Sequence, residues 1–229
     1  MKKKLLLIFL LCICLFISGC KKEEENKRPM VGGWELITNN IPQMTTPEIE
    51  NIFMQAIVKY DDLELEMVGL LAEQVVQGKN YMFLTKAAKR DNPTPSFKVV
   101  IVYNDLEGNS TVTKVTDFDI LKYVDNSIPN TSEELMGGWT VSMPSEPTFI
   151  EPDVQEKFEQ AISKVQGKEY YPISTIAKQV VSGTNYLVLC YGREDNGKTG
   201  IYLLTLYEDL EGNRDIKTES YVDLLEFNQ

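Results

Sequence analysis

The chain contains no histidine among its 229 residues. That removes Ser-His-Asp and Cys-His nucleophilic catalysis, which need an imidazole to take the nucleophile's proton. It also removes HExxH and Cys/His zinc sites. Acid–base chemistry would have to rest on carboxylates, of which there are 34 against 23 Lys and Arg. Two acidic pairs recur at equivalent places of the chain, Asp105 with Glu107 and Asp209 with Glu211, each beside a glycine. Two acids around one Gly fall short of a calcium loop and read as solvated hairpin tips. The 4 cysteines are Cys12, Cys14, Cys20 and Cys190. Cys190 stands in an apolar run, where a thiol is ordinarily buried and inert. No cofactor, no metal and no enzymatic activity are expected. The net charge of −11 argues against nucleic acid, whose binding requires a basic surface to displace counterions.

The other three cysteines lie at the start, and the elements around them say why. Lys2, Lys3 and Lys4 precede an apolar run from Leu5 to Ile17. Those thirteen residues would rise about 20 Å as a helix, short of a hydrocarbon core of roughly 30 Å. A basic start, a short apolar stretch and small residues after it form a secretory signal. Its end, Ile17-Ser18-Gly19-Cys20, resembles the lipobox of bacterial lipoproteins. The resemblance implies cleavage before Cys20 and lipidation of Cys20, palmitate among its acyl chains. The expected location is then the extracytoplasmic face of a bacterial membrane. Residues 1–19 are the signal. Residues 20–29 are a charged tether with no apolar residue to bury. Loss of the three lysines leaves 20 basic and 34 acidic side chains, a charge of about −14, so attachment comes from the acyl chains and not from a basic patch. Only Cys190 remains, and the exported part is stable without an internal disulfide.

The body is one unit written twice. Gly32-Gly33-Trp34 recurs as Gly137-Gly138-Trp139, and Gln74-Val75-Val76-Gln77-Gly78 as Gln179-Val180-Val181-Ser182-Gly183, both 105 positions on. Tyr103-Asn104-Asp105-Leu106-Glu107-Gly108-Asn109 recurs as Tyr207-Glu208-Asp209-Leu210-Glu211-Gly212-Asn213, 104 positions on. A repeat of this length is the size of one small domain. The expected units are residues 30–124 and 135–229, joined by a polar linker over 125–134.

Each unit predicts one helix and a set of strands. Thr46-Pro47-Glu48 supplies a capping hydroxyl, a proline suited to the first turn and an acid near the positive end of the dipole. Ile49, Ile52, Phe53, Ala56 and Ile57 then fall on one helical face. Glu151-Pro152-Asp153 opens the second helix, with Val154, Phe158, Ala161, Ile162 and Val165 as its stripe. Strand-type sequence follows at about 65–76, 80–88, 97–105 and 110–119, and at about 170–181, 185–191, 200–207 and 214–225. One helix with four antiparallel strands implies a two-layer α+β domain, the helix stripe filling the core. Trp34 and Trp139 are expected to pack under the helix starts.

The order of these features, the paired Gly-Gly segments, Thr46-Pro47-Glu48-Ile49 and the two Gln-Val-Val-x-Gly hairpins with Asn80-Tyr81 and Asn185-Tyr186 resemble the cystatins, most closely the disulfide-free stefin type. The resemblance covers nearly all of the mature chain. It implies two tandem cystatin-like domains, each one helix packed on a wrapped antiparallel sheet of four or five strands. It also implies reversible, non-covalent inhibition of papain-like cysteine proteases by a monomer, with an amino-terminal arm and two hairpin tips filling the protease cleft. The residues it assigns to that contact are Gly32, Gly33, Gln74, Val75, Val76, Gln77, Gly78 and Leu106, and in the second unit Gly137, Gly138, Gln179, Val180, Val181, Ser182, Gly183 and Leu210. Where the family often places Pro-Trp in the second hairpin, this chain has Leu106-Glu107 and Leu210-Glu211. The alternative expectation is a surface binding or structural module that keeps the cystatin fold without inhibiting.

Overall fold

The computed structural model describes residues 33–36, 45–89, 92–124, 138–141 and 150–228. Strand β1 (Trp34–Glu35) precedes helix α1 (Pro47–Ile57), followed by β2 (Glu64–Val76), β3 (Gly78–Lys89), β4 (Asn92–Asn104), β5 (Ser110–Asp117) and a 3-10 turn at Ile120–Tyr123. The second half repeats the order with β6 (Thr140–Val141), α2 (Pro152–Ile162), β7 (Lys168–Val181), β8 (Gly183–Glu194), β9 (Thr199–Glu208), β10 (Arg214–Val222) and a 3-10 turn at Leu224–Phe227. The strands form two five-stranded antiparallel sheets, ordered β1-β2-β3-β4-β5 and β10-β9-β8-β7-β6.

The helices are short and set by local chemistry. Thr46 Oγ1 accepts the Ile49 amide at 3.3 Å and Pro47 occupies the first turn. In α2 the cap residue Glu151 makes no such bond; its carboxylate instead takes Lys178 Nζ at 3.1 Å. Each helix lays its apolar stripe on one face of its sheet. Ile49, Ile52, Phe53 and Ala56 pack with Tyr81, Phe83, Val100 and Val102. Val154, Phe158 and Ala161 pack with Tyr186, Val188, Leu204 and Leu206.

The other face of each sheet is where the sequence reading is corrected. The expected α+β pair of cystatin-like domains, each a helix on a wrapped sheet, is not what forms. The chain is β-rich, with two antiparallel five-stranded sheets and only two short helices among the described residues. The largest core lies between the sheets: Val68, Leu71, Met82, Leu84, Phe97 and Val99 of the first half meet Ile173, Ile176, Leu187, Leu189, Ile201 and Leu203 of the second. Residues at equivalent positions of the repeat fill it from both sides, as in a self-complementary two-fold interface. Burial on both faces also explains why Met67–Ala72 and Tyr81–Ala87 are buried without a break. Trp139 belongs to this central core, with Trp34 packed at its margin, instead of lying beneath a helix.

The two 3-10 turns close the same seam. Phe118 lies 5.8 Å from Phe227 between ring centres, and Ser220 Oγ donates to the Tyr123 carbonyl at 3.1 Å. One cross-strand pair at the seam differs between the halves. Lys86, nearly buried, bonds Glu66 at 2.6 Å, whereas the matching Tyr191 and Tyr171 meet ring to ring at 6.1 Å.

Candidate protein-binding tips

Two turns of the first half come together at one end of their sheet. The β2–β3 turn is as tight as a hairpin allows, with Val76 opposite Gly78 and Gln77 alone at the apex. Register places β4 alongside, Lys79 facing Asn104, so the β4–β5 turn at Asp105–Asn109 lies next to it. The approach is close enough to require glycine. A Cβ on Gly78, whose φ is +111°, would stand 2.4 Å from the Asn104 carbonyl oxygen. The Tyr103 hydroxyl then donates to the Gln77 carbonyl, locking one turn to the other. The chain start joins them, because Trp34 pairs with Gln74 and brings Gly33 beside the tip.

The second half repeats the arrangement. Val181 faces Gly183 across the apex residue Ser182. A Cβ on Gly183 would lie 2.2 Å from the Glu208 carbonyl oxygen, and Tyr207 donates to the Ser182 carbonyl at 2.6 Å. Gly138, with φ of +77°, has the Gln179 amide 3.4 Å from where its Cβ would be. Gly32, Gly137 and Cys20, with residues 1–32 and the linker over 125–134, lie outside the described residues.

Not every motif residue faces outward. Gln74 Oε1 accepts Asn80 Nδ2 at 2.7 Å, and Gln179 Oε1 accepts Asn185 Nδ2 at 2.6 Å. Both glutamines fasten the base of a hairpin, and Gln179 is buried. The outward apolar groups are Leu106 at 72% exposure, Val180 at 84% and Leu210 at 79%. Val75, Val76 and Val181 are half-buried; Gln77 and Ser182 are exposed.

The leucine turns are built by their first aspartate. Asp209 Oδ1 accepts the amides of Glu211 at 3.0 Å and Asn213 at 2.7 Å, and Oδ2 accepts Asn213 Nδ2 at 2.7 Å. Asp105 does the same around Leu106, with Glu107 and Asn109. Those bonds, the asparagine side chain first, hold both carboxyls below the usual aspartate range. The role is structural and fixes the leucine in place. No ion pair reaches the carboxylates of Glu107 or Glu211 among the described residues.

The base of the second tip carries a charged network that the first lacks. Lys157 of α2 reaches the Tyr186 hydroxyl at 2.9 Å and Glu208 at 3.0 Å, and Arg214 binds Glu208 at 2.7 Å. Burial works against charge on Lys157, but Tyr186 and Glu208 outweigh it and raise its pKa. Burial likewise raises Glu208, and the two cations outweigh it and lower that carboxyl. The corresponding positions in the first half are Ile52, Asn104 and Ser110, where a neutral bond of 3.0 Å joins the last two.

Sequence reasoning missed the tyrosine locks, although Tyr103 and Tyr207 recur at the head of the repeated turn motif. It also missed the ion pair between Lys79 and Glu73, 3.2 Å apart, which no repeat pattern marks because Thr184 and Lys178 stand there in the second half.

Among the described residues no group of three His, Cys, Asp or Glu is placed to hold a metal, and no helix is long and apolar enough to cross a membrane. Cys190 is fully buried in β8, and desolvation pushes its thiol well above the ordinary range. A thiol held protonated away from solvent is a poor nucleophile. Alkylation followed by peptide mapping is expected to leave Cys190 unmodified in native buffer and to modify it fully in denaturant. Rapid native labelling would mean that β8 opens far more readily than its burial implies.

No family model matches this chain, and no curated protein matches it.

Proposed function

We propose that this chain is a lipid-anchored, non-enzymatic binding protein whose hairpin tips enter the cleft of a papain-like cysteine protease and block it reversibly. The observation that carries the reading is the pairing of exposed apolar side chains on adjoining turns that are locked to each other. Leu210 and Val180 stand on turns joined by the Gly183–Glu208 contact and the Tyr207 hydroxyl. Side chains that lose little freedom on docking contribute more of their burial to affinity. Apolar groups held rigidly in water mark interaction sites more often than scattered ones do. The protease as partner rests on the sequence motifs at these tips, and the anchor on Cys20 rests on the sequence that precedes it.

The test is titration of a papain-like protease with the full chain in detergent. Reversible inhibition is expected. Val180→Asp combined with Leu210→Asp is expected to weaken it at least tenfold, because each buries a carboxylate in an apolar contact. Full protease activity at high micromolar protein would sink the reading.

A second reading is favoured by Glu107 and Glu211. Each adjoins the exposed leucine of its turn with no ion pair among the described residues, and desolvating a carboxylate is costly unless the partner supplies a cation. On that reading the tips serve a non-inhibitory surface-binding module. Capture of a non-protease partner that survives the tip substitutions would favour it.

A further inference from the structure

The two tips share a backbone but not a surface. In the first, Val75 pairs directly across the hairpin with Lys79. The Lys79 ammonium bonds Glu73 at 3.2 Å, two residues back on the strand that carries Val75 and on the same face. To reach it the lysine stem must run past Val75, covering it with methylenes. Val75 is half-buried. In the second tip the shorter Thr184 faces Val180. Lys178 stands where Glu73 does and is drawn away to Glu151 at 3.1 Å. Val180 is 84% exposed.

We propose that the Lys79–Glu73 pair is a strap that masks the first tip and leaves the second, through Val180 and Leu210, as the principal docking edge for an apolar cleft with a cationic rim. The cation follows from Glu211. Its carboxylate has no ion pair among the described residues and adjoins Leu210, so it enters any interface with Leu210 and needs a positive group there. The docking part rests on the protein-binding reading above. The masking part stands on the strap geometry alone.

Two readouts on the full chain in detergent separate the two parts. Hydroxyl-radical footprinting read by mass spectrometry reports side-chain exposure without any partner. Val180 is expected to be modified several-fold faster than Val75. Lys79→Thr should raise the Val75 rate toward that of Val180, and Lys178→Glu with Thr184→Lys should slow Val180. Equal rates in the wild type, or no response to Lys79→Thr, would overturn the strap. Titration of the papain-like protease is the second readout. Val180→Asp is expected to cost at least tenfold in affinity and Val75→Asp less than threefold, while Lys79→Thr brings the Val75→Asp penalty up to match. Affinity should fall with salt, and less steeply in Glu211→Gln. Equal penalties at the two tips would overturn the docking hierarchy. Absence of protease binding with the footprint as expected would remove the protease reading and leave the strap established.

Discussion

Truncating Leu187 to alanine is expected to cost about 3 kcal/mol and to loosen both halves of the molecule together. Leu187 is fully buried on β8 and points into the core between the sheets. Met82, Leu84 and Val99 of the first half and Leu189 and Leu203 of the second belong to the same cluster, so a void at Leu187 opens in a core common to both halves. Close-packed interiors relax only partly around such a void. Domain stability is typically about 5–15 kcal/mol, so the loss is a large share of the total. Hydrogen exchange read by mass spectrometry provides the check. Amide protection in β3 and β4 should fall along with that in β8 and β9, and denaturant unfolding should remain a single transition at a lower midpoint. Loosening confined to β7–β10, or two separate transitions, would mean that the halves do not share a core.

The shared core also shows where the sequence was legible and where it was not. The hairpin apices were marked, because a tight turn with a positive φ leaves glycine as its residue, and Gly78 and Gly183 stand there. Helix α1 was marked by Thr46 and Pro47 and by a stripe at helical spacing. The second face of each sheet was harder to read. Leu70 and Leu71 are both buried, one toward the helix and one toward the sister sheet, and a continuous apolar run does not say what covers each side. One eleven-residue helix can shield only one face of five strands. The duplication itself supplied the cover for the other. Equivalent apolar positions in two copies can meet across a two-fold axis, a possibility that periodicity within one copy does not reveal. At the tips, the repeated motif pointed to the turns but not to their differences. Exposure of Val180 against Val75 depends on what stands across the hairpin, Thr184 or Lys79, which lies outside the repeated residues.

Replacing Gly183 with alanine is the sharpest probe of the tip, and Gly212 provides its control. Both have φ between +80° and +125°, at +121° and +84°, where a side chain is strained by roughly 1–2 kcal/mol. Around Gly212 nothing lies within 4 Å of an added Cβ, so Gly212→Ala is expected to show that strain and little else. At Gly183 the Cβ would also meet the Glu208 carbonyl oxygen at 2.2 Å and the Asp209 Cα at 3.0 Å. Both are backbone atoms, and Glu208 is held from below by Lys157 and Arg214, so neither can swing aside as a flexible side chain would. The β7–β8 turn must separate from the β9–β10 turn, which breaks the Tyr207–Ser182 bond and moves the turn that carries Val180 away from the one that carries Leu210. The expected total for Gly183→Ala is on the order of 3 kcal/mol or more, about twice that of the control. Protein binding should be lost in Gly183→Ala at concentrations and temperatures where it is still folded, and kept in Gly212→Ala. Gly78→Ala meets the Asn104 carbonyl oxygen at 2.4 Å and should cost a similar amount in the first half, with a smaller effect on binding because the strapped tip contributes less of the contact. Equal denaturant midpoints for Gly183→Ala and Gly212→Ala would show that the two turns are not in contact, and the rigid paired tip on which the binding reading depends would fall with it.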